Sequence, residues 1–275
     1  MTAKHNIIGI VSDEFANPGS VKMLNEVTRQ LNARGYLALL LNVDSREHYL
    51  SLLTKASELG VKGLIFLTSR YRQEASAFPA IWLSGENALR ADGYDAGAEI
   101  GRLLLAQGHQ RFGFMRGEDS PTVPRQMQGF VESLSAADKT LDQRLVAGNN
   151  DRERAYQVMM AYLKKTRASE RINALFCEND VLAFGALQAV RDFGQGAHIG
   201  VVGFDDVDEA RSSTWHLTSW AQRGDLLVTE ALNRLLDNKA DDTGAWQQGE
   251  LQVRHSHHGK HVHGEMSKCG CASRH

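Results

Sequence analysis

Carboxylates recur in this chain where apolar runs stop. In "IGVVGFDDVDEARSSTWHLTSWAQ" a continuous apolar run ends on Phe204, Asp205 and Asp206 follow at once, and a second β-like run closes on Gln222. Carboxylates likewise follow at Asp13-Glu14-Phe15, Asp44-Ser45, Gly117-Glu118-Asp119 and Glu178-Asn179-Asp180, and the polar Thr68-Ser69-Arg70 closes another run. An ionised carboxylate only accepts hydrogen bonds, and its planar fork takes two donors of a small polar molecule. Bond-making chemistry finds less support. The sequence holds no GxxxxGK[ST] loop, no GxSxG elbow and no HExxH pair. "GQGAHIG" at 194–200 has the wrong final spacing for a dinucleotide fingerprint and follows a helical pattern, so it reads as a helix stop and a turn. No spacing suggests a Cys/His or Ser/His/Asp set. The expectation is a binding protein, not an enzyme, with no cofactor.

A second candidate is the C-terminal stretch with His255, His257, His258, His261 and His263, then Cys269 and Cys271. Imidazole and thiolate suit zinc, nickel or copper. The spacing matches no structural zinc motif, so residues 254–275 read as a solvated, disordered tail or a vector remnant, with no metal site expected.

The elements that must carry these residues alternate. Strand-like runs occur at "NIIGIVS", "YLALLLNV", "VKGLIFL", "AIWLS", "RFGFMRG", "INALFC" and "IGVVGF", most of them continuously apolar, as strands buried on both faces are. Between them lie amphipathic helices. Ser20 can cap one whose inner face is Val21, Leu24, Val27 and Leu31, ended by Gly35, and Asp180 can cap another stopped by Gly194. Further helices fit 47–59, 94–107, 125–137, 152–165 and 225–237. Alternation of this kind predicts an α/β fold of βαβ units with parallel sheets. The series runs twice, which predicts two similar lobes: 1–107 with 224–250, and 108–223. Open parallel sheets bind ligands outside the carboxyl ends of their strands, where the carboxylates sit. Facing polar rims predict a cleft between the lobes.

Composition bounds the rest. A 275-residue chain with 42% apolar and 23% charged residues is ordinary for a globular protein. A net charge of −2, with no basic block before residue 254, argues against a nucleic-acid surface on the chain itself. No apolar run approaches the roughly 18 residues of a membrane span. The N-terminus lacks the pattern of a secretory leader, so the cytoplasm is the expected location. Cys177 stands alone in an apolar run, and three cysteines without a spaced framework suggest reduced thiols.

"ALFCENDVLAFGALQAVRDFG" and the opening stretch together resemble the lactose-repressor/galactose-repressor (LacI/GalR) family of bacterial transcription regulators. "DGYDAGAEIGRLLLAQGHQRFGFM", the Asn17-Pro18 dipeptide and "VKGLIFL" also match its pattern, and the similarity spans about residues 5–253. It implies a two-lobed core of periplasmic-binding-protein-like type I that binds a small effector, most simply a sugar or sugar derivative, and forms a homodimer. Operator DNA is bound, in that family, by a helix-turn-helix headpiece. The first strand here begins at Asn6, leaving no room for one, so the resemblance implies the effector-binding core of a longer repressor. The alternative is a periplasmic sugar-binding protein of a transport system.

The resemblance also implies site residues. Asp205 corresponds to the carboxylate that holds effector hydroxyls or ring nitrogens, while Asp206 shapes the turn. Asn179 and Phe176 fall on positions that face the ligand in sugar and purine regulators respectively, although Phe176 also reads as plain core. Gln222 and Asp92 fall on cleft positions, and Asp13 opens the ligand loop. Two departures stand out. Gly19 and Ser20 replace the aromatics that usually follow Asn-Pro, with Phe15 as a substitute. Gln126 occupies the place of the effector-clamping arginine, and Arg125 is one residue early, about 100° around a helix. Both remain candidates. Trp82 and Trp220 either pack or stack on a sugar.

Overall fold

A computed structural model describes residues 5–71, 77–85, 87–194 and 196–259. The chain divides into two compact units, one holding residues up to Ala91 with Gln222–Gln248, the other Asp92–Ala221 with the segment from Gly249.

The first unit is built on strands β1 (Ile7–Ser12), β2 (Leu37–Asn42), β3 (Gly63–Phe66) and β4 (Ala80–Trp82) in the order β2-β1-β3-β4. All three pairings are parallel. Alternation along β1 and β3 sends side chains to two cores. Ile8, Ile10 and Ile65 meet Val27 and Leu31 of helix α1 (Pro18–Ala33) and Val228 and Leu232 of α7 (Gly224–Asp237). Val11, Leu64 and Phe66 meet Tyr49 and Ala56 of α2 (Arg46–Glu58). Helix α1 starts earlier than Ser20: Asn17 is its cap, its side chain accepting from the Gly19 N–H, and Pro18 takes the first helical position. Proline fits there because its missing N–H is one that a helix start leaves unbonded.

The second unit carries β5 (Phe112–Arg116), β6 (Leu141–Val146), β7 (Ala174–Cys177), β8 (Gly200–Phe204), β9 (Thr218–Gln222) and β10 (Gly249–Gln252) in the order β10-β9-β8-β7-β5-β6. Pairings among β5 to β9 are parallel. One face packs Phe112, Phe114, Phe176 and Val202 against α3 (Tyr94–Ala106) and α4 (Arg125–Ser135). The other packs Met115, Leu175 and Val201 against α5 (Arg152–Lys165) and α6 (Asp180–Phe193). Asn179, not Asp180, caps α6, its side chain accepting from the Leu182 N–H at 3.1 Å.

Two boundaries differ from the sequence reading. Helix α3 belongs to the second unit, because Ala96, Ile100 and Leu104 seal the Phe112–Phe130 core. Its contact with α4 is backbone-close: a Cβ on Gly97 would lie 1.8 Å from the Gln126 carbonyl, and one on Gly129 1.9 Å from that of Tyr94. The second difference is the start of the tail. Residues Arg254–Gly259 are seated on the second unit, with His257 only 1% exposed. The Val201 N–H donates to the Ser256 carbonyl at 2.7 Å, and the Ser256 hydroxyl donates back to the Val201 carbonyl at 2.6 Å. His257 Nδ1 lies 2.7 Å from the Thr218 hydroxyl. His261, His263, Cys269 and Cys271 lie outside the described residues.

Candidate functional site

The carboxyl ends of the strands in each unit carry the polar residues that the sequence placed there. In the first unit, β1 delivers Asp13, which pairs with Arg70 beyond β3 at 3.2 Å. The Thr68 hydroxyl accepts from the Arg70 N–H, and Ser12 accepts from Glu14 N–H, so this rim is tied down by its own side chains. Asp44, beyond β2, accepts from His48 at 2.9 Å, and that bond holds its carboxyl below the ordinary range. Phe15 is half-buried against the α1 core. Trp82 stacks on Phe66 with centroids 4.5 Å apart, so its ring packs.

In the second unit, the ends of β5, β6 and β7 converge. Glu178 accepts from the Gly117 N–H at 2.8 Å, and Asn179 Nδ2 donates to Asn150 Oδ1 at 2.7 Å. A Cβ on Gly117 would fall 2.2 Å from that same Asn150 oxygen, so glycine makes the room for it. Arg116 donates to the carbonyls of Ser120 and Thr122 and shapes the following loop. Gln222 closes β9, half-buried.

Asp205 follows β8 in an unusual backbone state. Its φ is 103° and that of Asp206 is 49°, two successive non-glycine residues in left-handed space. Each such residue costs on the order of 1–3 kcal/mol and persists only where its surroundings hold it. The hold is visible. The N–H groups of Asp205, Asp206 and Val207 donate in turn to the Trp220 carbonyl, the Ser219 hydroxyl and the Asp180 carboxylate, at 2.9, 3.0 and 2.8 Å. Asp206 is ion-paired to Arg254 at 2.6 Å, in keeping with a turn-shaping role.

The remaining candidates stand elsewhere. Phe176 is fully buried, with the rings of Phe114 and Phe130 against it at 5.1 and 5.3 Å, so it packs in the core. Trp220 packs in that core too. Asp92 and Arg125 engage each other in a two-pronged ion pair at 3.1 and 3.2 Å, with the guanidinium 4.9 Å over the Tyr94 ring. The bond to Asp92 raises the Arg125 pKa above its ordinary value. Gln126 is half-buried against Gly97 of α3 and against Gly93, the residue that precedes that helix. Asn150 and Arg254 were not singled out from the sequence. "RLVAGNN" does end like the other rim strands, whereas Arg254 was hidden by the histidines that follow it.

The arrangement offers hydrogen-bond acceptors and backbone amides. Among the described residues no group of three or more His, Cys, Asp or Glu could hold a metal ion, and no helix is long and apolar enough to cross a membrane. Burial pushes the Cys177 thiol well above its usual pKa, so it offers no thiolate.

Comparison with known proteins agrees with this architecture. The HTH-type transcriptional repressor PurR of Proteus mirabilis is 27% identical over 261 residues, covering 86% of this chain and 74% of the repressor. A LacI-family transcriptional regulator from Enterococcus faecium, solved with bound ribose, superimposes with a TM-score of 0.74 at 23% identity, over 91% of this chain and 98% of that one. One from Lactobacillus casei with bound sucrose gives 0.74 at 21%, over 91% and 99%. The profile of the periplasmic binding proteins and sugar-binding domain of the LacI family matches residues 4–238. The chain therefore belongs to that family, as an effector-binding domain of LacI type.

Proposed function

We propose that this chain is the effector-binding and dimerisation core of a bacterial transcription repressor, and that its effector is a sugar or sugar derivative. The observation that carries the proposal is Asp205, a half-exposed carboxylate at the carboxyl end of β8, held in left-handed backbone space by three successive hydrogen bonds. A carboxylate so fixed accepts two neighbouring hydroxyls, and once a bound molecule covers it, leaving it without them costs roughly 1–3 kcal/mol, which turns it into a selector. Asn179, Asn150, Gln222 and Asp13 supply further polar contacts in this reading, with Arg125, Gln126 and Asp92 at its margin. The ribose and sucrose bound by the two LacI-family regulators support a polyhydroxyl ligand.

Repressor names among the relatives favour regulation over transport, so the protein works in the cytoplasm and acts on operator DNA through a helix-turn-helix segment. It performs no catalysis. A homodimer is supported by β2, which is the outer strand of its sheet and exposes Leu37 and Leu40. The effector shifts the repressor only as far as its affinities for the two states differ.

A thermal-shift screen with D-ribose, sucrose, glucose 6-phosphate, gluconate and adenine tests the ligand class. A sugar at 100 times its dissociation constant adds about 2.7 kcal/mol of stability. Stabilisation by adenine alone would replace the sugar with a purine, and no stabilisation by any of the five would remove the proposal.

A further inference from the structure

We infer that Asp180, Ser219 and Arg254 are positioning residues, which hold the backbone of Asp205 in the conformation that presents its carboxylate to the effector. The inference rests on the reading that Asp205 is the effector's acceptor.

Asp180 is a carboxylate with no exposed surface, in the first turn of α6, where Asn179 already provides the cap. Local helix chemistry therefore does not require it. A buried carboxylate is costly unless hydrogen-bonded, and apolar side chains of similar size usually serve stability as well or better. Its oxygens reach instead to the turn after β8. Oδ2 accepts from the Val207 N–H at 2.8 Å, and Oδ1 accepts from the Ser219 hydroxyl at 2.6 Å. The same hydroxyl oxygen accepts from the Asp206 N–H at 3.0 Å. One carboxylate thus ties both amides that follow Asp205 to α6, one of them through a single hydroxyl.

The strand makes room for this arrangement. A Cβ on Gly203 would lie 2.1 Å from Asp180 Oδ1, so β8 carries glycine where the carboxylate passes. Arg254 completes it from the other side. Its Nη1 donates to Asp206 Oδ1 at 2.6 Å and to the Leu217 carbonyl at 2.7 Å. The second carboxylate of the pair is thereby engaged by a guanidinium that is itself largely covered. Asp206 is thus part of the frame around the backbone of Asp205.

The experiment uses the chain with Ser219→Ala, Arg254→Met and Arg254→Lys. Backbone amide exchange is read at Asp206 and Val207 against Val201 and Gly203 of β8, and affinity for the five probes is measured by calorimetry. Ser219→Ala and Arg254→Met are expected to speed exchange at Asp206 and Val207 about tenfold or more, with β8 unchanged, as local opening does. Binding of the probe that wild type takes weakens about tenfold in both, and Arg254→Lys restores most of it. Unchanged exchange at Asp206 and Val207 overturns the inference. So does faster exchange with undiminished affinity, because the frame would then not serve the ligand. Wild type that binds none of the five instead removes the effector reading and the purpose assigned to the frame, while the exchange data still decide whether the frame exists.

Discussion

Asp205 and Asp206 are adjacent and chemically identical, and the roles proposed for them differ: Asp206 meets the Arg254 guanidinium, and Asp205 is the proposed acceptor of the effector. That kind of division is set by residues far along the chain. Arg254 lies 48 positions away, and nothing local to "GFDD" announces it. Capping illustrates the same limit at shorter range: Asn179 and Asp180 are both capping types, and which one caps depends on where β7 releases the chain. Phe176 was ambiguous for another reason. Strands of a parallel sheet are apolar on both faces, so no polar alternation marks which residue faces solvent. Its burial predicts that Phe176→Ala costs about 3–5 kcal/mol of stability in urea unfolding. His257 gives a prediction in pH. Burial lowers its pKa to about 4, from an ordinary value near 6.5, so the folded state keeps it neutral. Between those values the unfolded chain binds the extra proton. Stability is therefore full above pH 6.5 and falls as the pH drops towards 4, by on the order of 1–3 kcal/mol. His257→Asn should flatten that part of the pH–stability curve; an unaltered slope would place the titration elsewhere.

Among the elements, the continuously apolar strands and the amphipathic helices were legible because each carries its own period. Helices α2 to α5 and α7 lie within two residues of their expected bounds. Strand β10 was not legible, since "GELQ" has one apolar side chain and takes its place by pairing at the sheet edge. Nor could periodicity assign α3 to a unit, because an apolar stripe does not name its partner. The glycines name it in retrospect. Gly97→Ala or Gly129→Ala forces α3 and α4 apart and should destabilise by about 1–3 kcal/mol or more, read from the urea midpoint. Gly224→Ala is the contrasting case. A Cβ there meets nothing within 4 Å at the start of α7, so the change should be neutral or stabilise by up to about 1 kcal/mol. Equal losses at all three sites would contradict close helix packing as the cause.

For the molecule as a whole, the sequence carried the two-lobed α/β plan and the family to which it belongs, both of them properties of many residues at once. Assembly is a property of surface, and the proposed dimer rests on β2. Leu40 is 50% exposed on that outer strand, and a lysine there would place a charge in any contact made along it. Sedimentation equilibrium should find wild type dimeric and Leu40→Lys dissociating at least about tenfold more readily. A monomeric wild type would remove the dimer. The account as a whole turns on one carboxylate, and titration calorimetry of wild type and Asp205→Asn with the sugar that stabilises the chain tests it most directly. Wild type should bind one sugar per chain, and Asp205→Asn should lose measurable binding while its melting temperature stays within a few degrees of wild type. Equal affinity in the two proteins would contradict the account.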